Sequence, residues 1–281
     1  MPELPEVEIM VRRLGAALAG GVVESALAKG VGTLKSFDPP LDELRGHTFT
    51  GMRRRSKLLI ADFDGDLLLL VHLMSAGRLQ LYDKPGSLKD RTLRLAIRLT
   101  DGRELRLREF GTRQSTWAKL LRAADLEAEP NVAKLGPEAW PDPPPLEDLL
   151  DDARPLHSML RDQRVLAGIG RSWADEILHT AKLSPFKRGN TLDAAEADVL
   201  RTSMVERLGA AIDHYEEVVG PTIPDKLPMP LTVHGRQGSP CPRCGTTLEA
   251  VFFEDYVVAY CPQCQTGGKL LKDRRLSRLL K

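Results

Sequence analysis

The sequence predicts an α+β protein: an N-terminal helix packed beside an antiparallel β-sandwich or barrel, then a helical domain, then a short cysteine-bounded β-hairpin. Three observations carry this. From Val22 to about Arg113 the chain reads as short runs rich in Val, Ile, Leu and Thr, broken by Asp64-Gly65, Pro85-Gly86 and Asp101-Gly102, the pattern of strands joined by tight turns. From Leu146 to Val219 the apolar spacing is helical instead. All four cysteines fall near the C-terminus in two close pairs.

Taken in order, Pro5 to Leu18 reads as an amphipathic helix with Val7, Met10, Val11, Leu14, Ala17 and Leu18 on one stripe, stopped by Gly20-Gly21. Leu58 to Phe63, Leu67 to His72 and Thr92 to Leu99 read as strands. Gly136 to Leu146 is too proline-dense for regular structure and marks a domain boundary. The helical region is interrupted by Gly168-Ile169-Gly170 and by Ser184 to Gly189, and a short strand is expected after about Pro230, ahead of the cysteines and a basic tail. A chain of 281 residues accommodates two or three units, each with a core. The longest apolar runs, Leu67 to Val71 and Val257 to Tyr260, are far too short to span a bilayer, so a soluble cytoplasmic protein is expected. The net charge of +1 argues neither for nor against nucleic acid. Its distribution does favour a phosphate backbone: Arg53, Arg54, Arg55 and Lys57 cluster, 91–113 is arginine-rich, and the tail carries Lys269, Lys272, Arg274, Arg275, Arg278 and Lys281.

Two stretches carry chemistry at once. Removal of Met1 would make Pro2 a secondary amine with a reference pKa of about 8, hence a nucleophile near neutrality that can form a Schiff base. Glu3 and Glu6 lie close enough in sequence to serve as acid or base, although Pro5-Glu6-Val7-Glu8 is equally an ordinary helix start. Cys241-Pro-Arg-Cys244 and Cys261-Pro-Gln-Cys264, sixteen residues apart, fit one structural zinc held by four thiolates at the base of a β-hairpin. A third, weaker signal is Gly168-Ile-Gly170-Arg171 ahead of a helix from Trp173 to Ala181, where exposed amides and a guanidinium suit an anion.

The Pro-Glu-Leu-Pro-Glu start, Lys57 within Arg-Arg-Arg-Ser-Lys-Leu-Leu, His72-Leu-Met-Ser-Ala-Gly-Arg-Leu79, Gln163 before Gly168-Ile-Gly170, Ala174-Asp-Glu-Ile-Leu178, Val233-His-Gly-Arg236 and the cysteine finger occur in one order. In this the chain resembles the formamidopyrimidine-DNA glycosylase/endonuclease VIII family over nearly its whole length. The resemblance implies a catalytic β-sandwich domain over 1–135, a linker over 136–146, a helix-two-turn-helix DNA-binding domain over 147–230, a zinc finger over 231–268 and a basic tail over 269–281. It implies a monomeric bacterial base-excision repair enzyme of the cytoplasm, acting on damaged double-stranded DNA as both glycosylase and abasic-site lyase. Pro2 would attack the sugar, Glu3 would act on the ring oxygen, Glu6 would position the attacking end, and Lys57 would contact DNA near the lesion. Arg108 and Phe110 would fill the void left by the extruded base together with Met74 or Ser75, the family spacing favouring Ser75 but serine being a poor wedge, and Gly168, Gly170 and Arg171 would meet phosphate. Arg171 stands where the family usually has asparagine, and Tyr256 stands where the finger usually has a phosphate-gripping arginine, leaving Glu249, Glu254 and Asp255 as the only charges between Cys244 and Cys261. The finger is therefore expected to bind DNA less strongly, with the basic tail in compensation. The segment 219–231 is shorter than the family's base-capping loop, so base preference is expected to shift. Competing readings are a non-catalytic DNA-binding or damage-sensing protein of the same fold, a lyase without glycosylase activity, and an RNA-associated zinc ribbon.

Overall fold

A computed structural model describes residues 1–30, 32–253 and 256–271. Glu254, Asp255 and the tail from Lys272 onward, which the sequence placed at the finger tip and in a DNA-binding extension, lie outside these described residues. The chain groups into two compact units, Met1–Lys134 with Ile212–Pro228, and Leu135–Ala211 with Met229–Lys281. Ile212–Pro228 thus packs with the first unit, whereas boundaries read along the chain keep it with the helices. No helix among the described residues is long and apolar enough to cross a membrane.

The first unit opens with helix α1 (Leu4–Leu18), which begins in a reciprocal capping box between Glu3 and Glu6. Its buried face, Leu4, Val7, Met10, Val11, Leu14 and Leu18 with Ile9, follows the expected stripe; each such side chain contributes about 1.5–3 kcal/mol on full burial. It packs on β2 (Phe49–Arg55) and β3 (Leu58–Phe63), closely enough at Gly15 that an added Cβ would stand 3.3 Å from that of Met52. The expected sandwich is present as two antiparallel four-stranded sheets. One has the order β2-β3-β4-β8, with β4 (Leu67–His72) and β8 (Trp117–Arg122) completing it. The other has the order β1-β6-β7-β5, from Val23–Ala28, Leu93–Leu99, Glu104–Glu109 and Gly77–Tyr82.

The arginine-rich stretches of this unit are open only in part: Arg53, Arg91 and Arg113 are exposed, while others are buried. Arg94 and Arg106 are buried on the sheet, beside Glu109 (3.1 Å) and Glu104 (3.3 Å), Arg54 pairs with Glu8 (3.0 Å), and Arg53 with Asp62 (3.0 Å). Acidic partners on α1, on an adjacent strand or, for Arg106, on the same strand offset these charges, a pairing that a count along the chain does not reveal.

The second unit is less helical than its periodicity predicts. After the short α2 (Pro130–Ala133) at the end of the first stretch and the irregular proline segment come α3 (Leu156–Arg161) and α4 (Arg171–Thr180), and the long α5 (Ala194–Val218) runs from this unit into the first. The hairpin is formed by β9 (Glu249–Phe252) and β10 (Val257–Tyr260), followed by the short α6 (Pro262–Thr266). The strand expected after Pro230 is absent. The Thr232, Val233 and His234 amides instead converge on one carboxylate oxygen of Glu176, at 2.8, 2.8 and 3.0 Å, a curvature incompatible with a ladder.

Candidate active site and nucleic-acid interface

The chain start is held inside the first unit. Glu3 and Glu6 are 3% and 2% exposed, and the Glu3 amide donates to Glu6 Oε2 at 2.8 Å. Glu6 Oε1 accepts the hydroxyl of Tyr215, on the last turns of α5, at 2.7 Å. Lys57, on the β2–β3 turn, is buried as well. The α-amine of Met1 sits below its ordinary pKa, first because burial disfavours the cation. Glu3 and Glu6 oppose that shift, and Arg78 and Lys57 reinforce it. Glu3, Glu6, Lys57 and Arg78, from distant parts of this unit, therefore all act on the amine that precedes Pro2. His72, at the end of β4, is pushed down to about 4 by burial and then by Lys57 and Lys35. It is neutral at pH 7, and its Nδ1 accepts the Met74 amide at 3.1 Å.

Met74 lies in the turn between β4 and β5, half-buried and with φ of +49°. That turn is tight: an added Cβ on Gly77 would fall 2.4 Å from Leu73 O. The β5–β7 register sets Arg78 opposite Arg108, and the Phe110 amide donates to Ala76 O at 3.1 Å, so the sheet edge presents Met74, Arg108 and Phe110 together. Phe110 is 50% exposed, which excludes the core aromatic that a strand-end position would otherwise favour. The Arg108 guanidinium covers its ring at 4.9 Å and is itself held by Gln80 Oε1 (2.6 Å) and Asp225 Oδ1 (2.8 Å). Gln80 Nε2 donates to Ile223 O at 2.7 Å, and Arg78 donates to Asp225 O, so the proline-rich segment after α5 is fastened to this edge.

In the second unit Gly168 adopts φ of +108°, a conformation side chains resist, and its amide donates to Gln163 Oε1 at 2.9 Å. Gln163 Nε2 spans the turn to Ile169 O at 2.7 Å, and Gly170 caps α4. Arg171 opens that helix. Its guanidinium lies 4.9 Å from the Tyr256 ring centroid, and that of Arg161 lies 4.4 Å from it. Phe253 and His157 stack parallel to the same ring, at 4.4 and 6.2 Å. The hairpin, which has no arginine between Cys244 and Cys261, therefore gathers two guanidiniums from the helices. Arg161, His157 and Tyr215 were missed by sequence reasoning; nothing in their local pattern distinguishes them from ordinary helical positions.

The four cysteine sulfurs lie within 4.8 Å of one another, with separations of 3.5 Å (Cys244–Cys261), 3.5 Å (Cys244–Cys264) and 3.9 Å (Cys241–Cys264). Four thiolates about 2.3 Å from a tetrahedral zinc stand about 3.8 Å apart, so the cluster fits one structural zinc with no open position. The Cys264 amide faces Cys261 Sγ at 3.4 Å, and His179 Nε2 lies 3.2 Å from Cys241 Sγ. Burial and then Arg243 push His179 down to about 4, so its imidazole is neutral. Arg243 ties the first cysteine pair to the C-terminal carbonyls of α4, at His179 O (2.8 Å) and Thr180 O (3.2 Å). Asp175 ties β10 to α4 by accepting the Ala259 amide at 3.1 Å and His234 Nδ1 at 2.7 Å.

A chain start flanked by two buried carboxyls in one unit, and a glycine turn with paired arginines and a four-cysteine finger in the other, are the features of a zinc-finger DNA-binding protein with an amine available for Schiff-base chemistry. Known proteins narrow the class. The N-terminal domain of formamidopyrimidine-DNA glycosylase matches residues 1–113, its H2TH domain matches 139–220, and the zinc finger found in FPG and IleRS matches 238–267. The formamidopyrimidine-DNA glycosylase of Pediococcus pentosaceus is 32% identical over 288 residues, covering 94% of this chain and 99% of that protein. Its counterpart in Thermus thermophilus is 33% identical over 286 residues, covering 95% and 100%. An uncharacterized formamidopyrimidine-DNA glycosylase-like protein of Mycobacterium tuberculosis is 44% identical over 126 residues, covering 45% of this chain and 80% of that protein. The solved complex of Lactococcus lactis Fpg with abasic-site DNA superposes with a TM-score of 0.82 at 26% identity, covering 94% and 99%. MutM in complex with carbocyclic 8-oxo-G DNA gives 0.82 at 28%, covering 94% and 100%. The chain belongs to the formamidopyrimidine-DNA glycosylase family, the DNA glycosylases with abasic-site lyase activity that act in base-excision repair.

Proposed function

We propose that this chain, working as a monomer, removes oxidised bases from duplex DNA and nicks the resulting site through a Schiff base on Pro2 once Met1 is gone. The observation that carries the reading is the environment of the chain start: burial, Arg78 and Lys57 favour the neutral form of the Met1 amine, and removal of Met1 would hand that environment to the Pro2 nitrogen, with buried Glu3 and Glu6 next to it. Pro2 nitrogen bonds to the sugar C1′ as the base–sugar bond breaks, and the base departs with that electron pair and the proton the amine loses. Glu3 gives a proton to the ring oxygen, the C1′–oxygen bond opens, and an iminium remains. Loss of a C2′ proton then expels the 3′ phosphate, and water releases Pro2. Glu6 holds the Glu3 amide, which fixes the segment that bears the nucleophile. Lys57 keeps positive charge beside the amine and toward the sugar-phosphate.

Phe110, half-exposed and backed by Arg108, serves as the wedge that occupies the emptied stack, with Met74 beside it on the turn. Phosphate contact comes from Arg161 and Arg171, arrayed on Tyr256 next to the Gly168–Gly170 turn, so the missing finger arginine is replaced from the helical side. Zinc holds the hairpin that carries Tyr256 and takes no part in bond breaking.

The test is borohydride trapping on duplexes bearing an abasic site, 8-oxoguanine or an oxidised pyrimidine. It uses untagged protein whose N-terminus has been checked by mass spectrometry. Trapping on a damaged base, lost in Pro2→Gly and Glu3→Gln proteins, is expected. Trapping on the abasic site alone would leave a lyase, and none at all from a protein with a free Pro2 amine and intact DNA binding would overturn the chemistry.

A further inference from the structure

Tyr215 is fully buried at the end of α5, and its hydroxyl donates to Glu6 Oε1 at 2.7 Å while Glu6 Oε2 accepts the Glu3 amide at 2.8 Å. The two oxygens of one buried carboxylate thus join the end of α5 to the peptide that follows Pro2. A carboxylate with a donor on each oxygen cannot rotate without breaking a charge-assisted hydrogen bond. The end of α5 is itself fastened to α1. Arg13 donates to Val219 O (3.0 Å) and Glu216 O (2.9 Å), and both Arg12 and Arg13 pair with the Glu216 carboxylate at 2.9 and 2.7 Å. The rigid segment behind Glu6 is therefore the helix terminus, and Tyr215 is its point of contact with the chain start.

We propose that Tyr215 is a positioning residue for the amine chemistry: by holding Glu6 it sets the Pro2–Glu3 segment, and hence the nucleophilic nitrogen, at a fixed place and angle. This rests on the Schiff-base reading given above. Burial, then the charge of Glu6, hold the phenol well above its ordinary pKa, so it remains a donor throughout the working pH range. A 1 Å misplacement of a reacting atom costs up to about 100-fold in rate, so a lost anchor is visible in the chemical step while duplex affinity stays constant.

The test compares wild-type protein with Tyr215→Phe, which keeps the ring that fills the core, in single-turnover cleavage and borohydride trapping on abasic-site duplex, with duplex Kd measured separately. The expected result is a fall of about 10-fold in the single-turnover rate with Kd unchanged within about 2-fold. The acid limb of the pH–rate profile should move up, because the Glu6 carboxylate loses a donor while Glu3, Lys57 and Arg78, which also face the chain start, are retained. In the Glu6→Gln background the same substitution should have no further effect. Wild-type rate and pH profile in Tyr215→Phe, or equal losses in rate, affinity and thermal stability, would overturn the positioning role. If wild-type protein with a free Pro2 does not trap, the amine chemistry falls and this inference with it. Should Tyr215→Phe not fold, 3-fluorotyrosine at position 215 changes donor strength without changing shape. An acid limb that moves down supports the proposal, and one that does not move overturns it.

Discussion

Replacing Glu176 by Gln keeps shape and volume but removes a charge that five donors share. One oxygen of Glu176 takes the Thr232, Val233 and His234 amides; the other takes Thr232 Oγ1 at 2.7 Å and Arg207 Nη2 at 2.8 Å. Glu176 is 1% exposed, so the glutamine amide could not turn to solvent, and its NH2 group would face the Arg207 donor. Breaking a buried ion pair from one side costs about 3–5 kcal/mol. Arg207 keeps the Pro230 carbonyl and the face of Trp173, which places the ionic part near the bottom of that range. Three amide bonds that lose a charged acceptor weaken as well, by something under about 1 kcal/mol each when they share one oxygen. The expected total is about 3–5 kcal/mol, or a fall of about 10 °C in Tm at 2–4 °C per kcal/mol. Burial opposes ionisation of Glu176, but the amides, the Thr232 hydroxyl and Arg207 outweigh it and lower its pKa from the ordinary 4.5. Its stabilisation is therefore complete above about pH 4.5 and declines as pH falls through the lower folded-state value. Thermal unfolding followed by near-UV circular dichroism at pH 7 and below pH 4 measures both parts. A loss below about 1 kcal/mol at pH 7, or a wild-type-to-variant difference that grows in acid, would refute this account of the 232–234 loop.

Two further predictions follow from the second unit. His179→Phe removes the imidazole beside Cys241 Sγ, and zinc affinity measured by competition with a colorimetric chelator should fall about 10- to 100-fold; unchanged affinity would mean the contact does not support the thiolate. Arg161→Ala and Arg171→Ala should each weaken duplex binding with little dependence on sequence, and each should reduce the slope of log K against log salt by about one. A wild-type slope in both would show that the guanidiniums on Tyr256 do not meet phosphate.

Much of the fold was legible in the linear pattern. The stripe of α1, the Asp64-Gly65 and Asp101-Gly102 turns and the spacing of Cys241, Cys244, Cys261 and Cys264 are local signals, because each depends on backbone periodicity or on ligand geometry within one short element. The N-terminal carboxyls were legible in part: Glu3 caps α1, Glu6 stands in its first turn, and the chain itself keeps both near Pro2. Charge was legible only in part. Arg54, Arg94 and Arg106 look like a phosphate-binding surface in the sequence, yet their side chains are buried against Glu8 on α1, Glu109 on the neighbouring strand and Glu104 on Arg106's own strand, and only the fold decides which of these groups face one another.

What the sequence by itself determined is therefore what neighbouring residues can determine: elements, turns, a zinc-binding set and a candidate nucleophile with its nearest carboxyls. Tertiary structure alone decided which distant groups face them. It brought Tyr215 to Glu6 across more than two hundred residues, fastened Asp225 to Arg108, and set Arg161 and Arg171 on Tyr256 in place of an arginine the finger lacks. Hydrogen bonds and ring contacts of this kind act over a few ångströms, and only the packing of whole helices and sheets decides which side chains come within that distance.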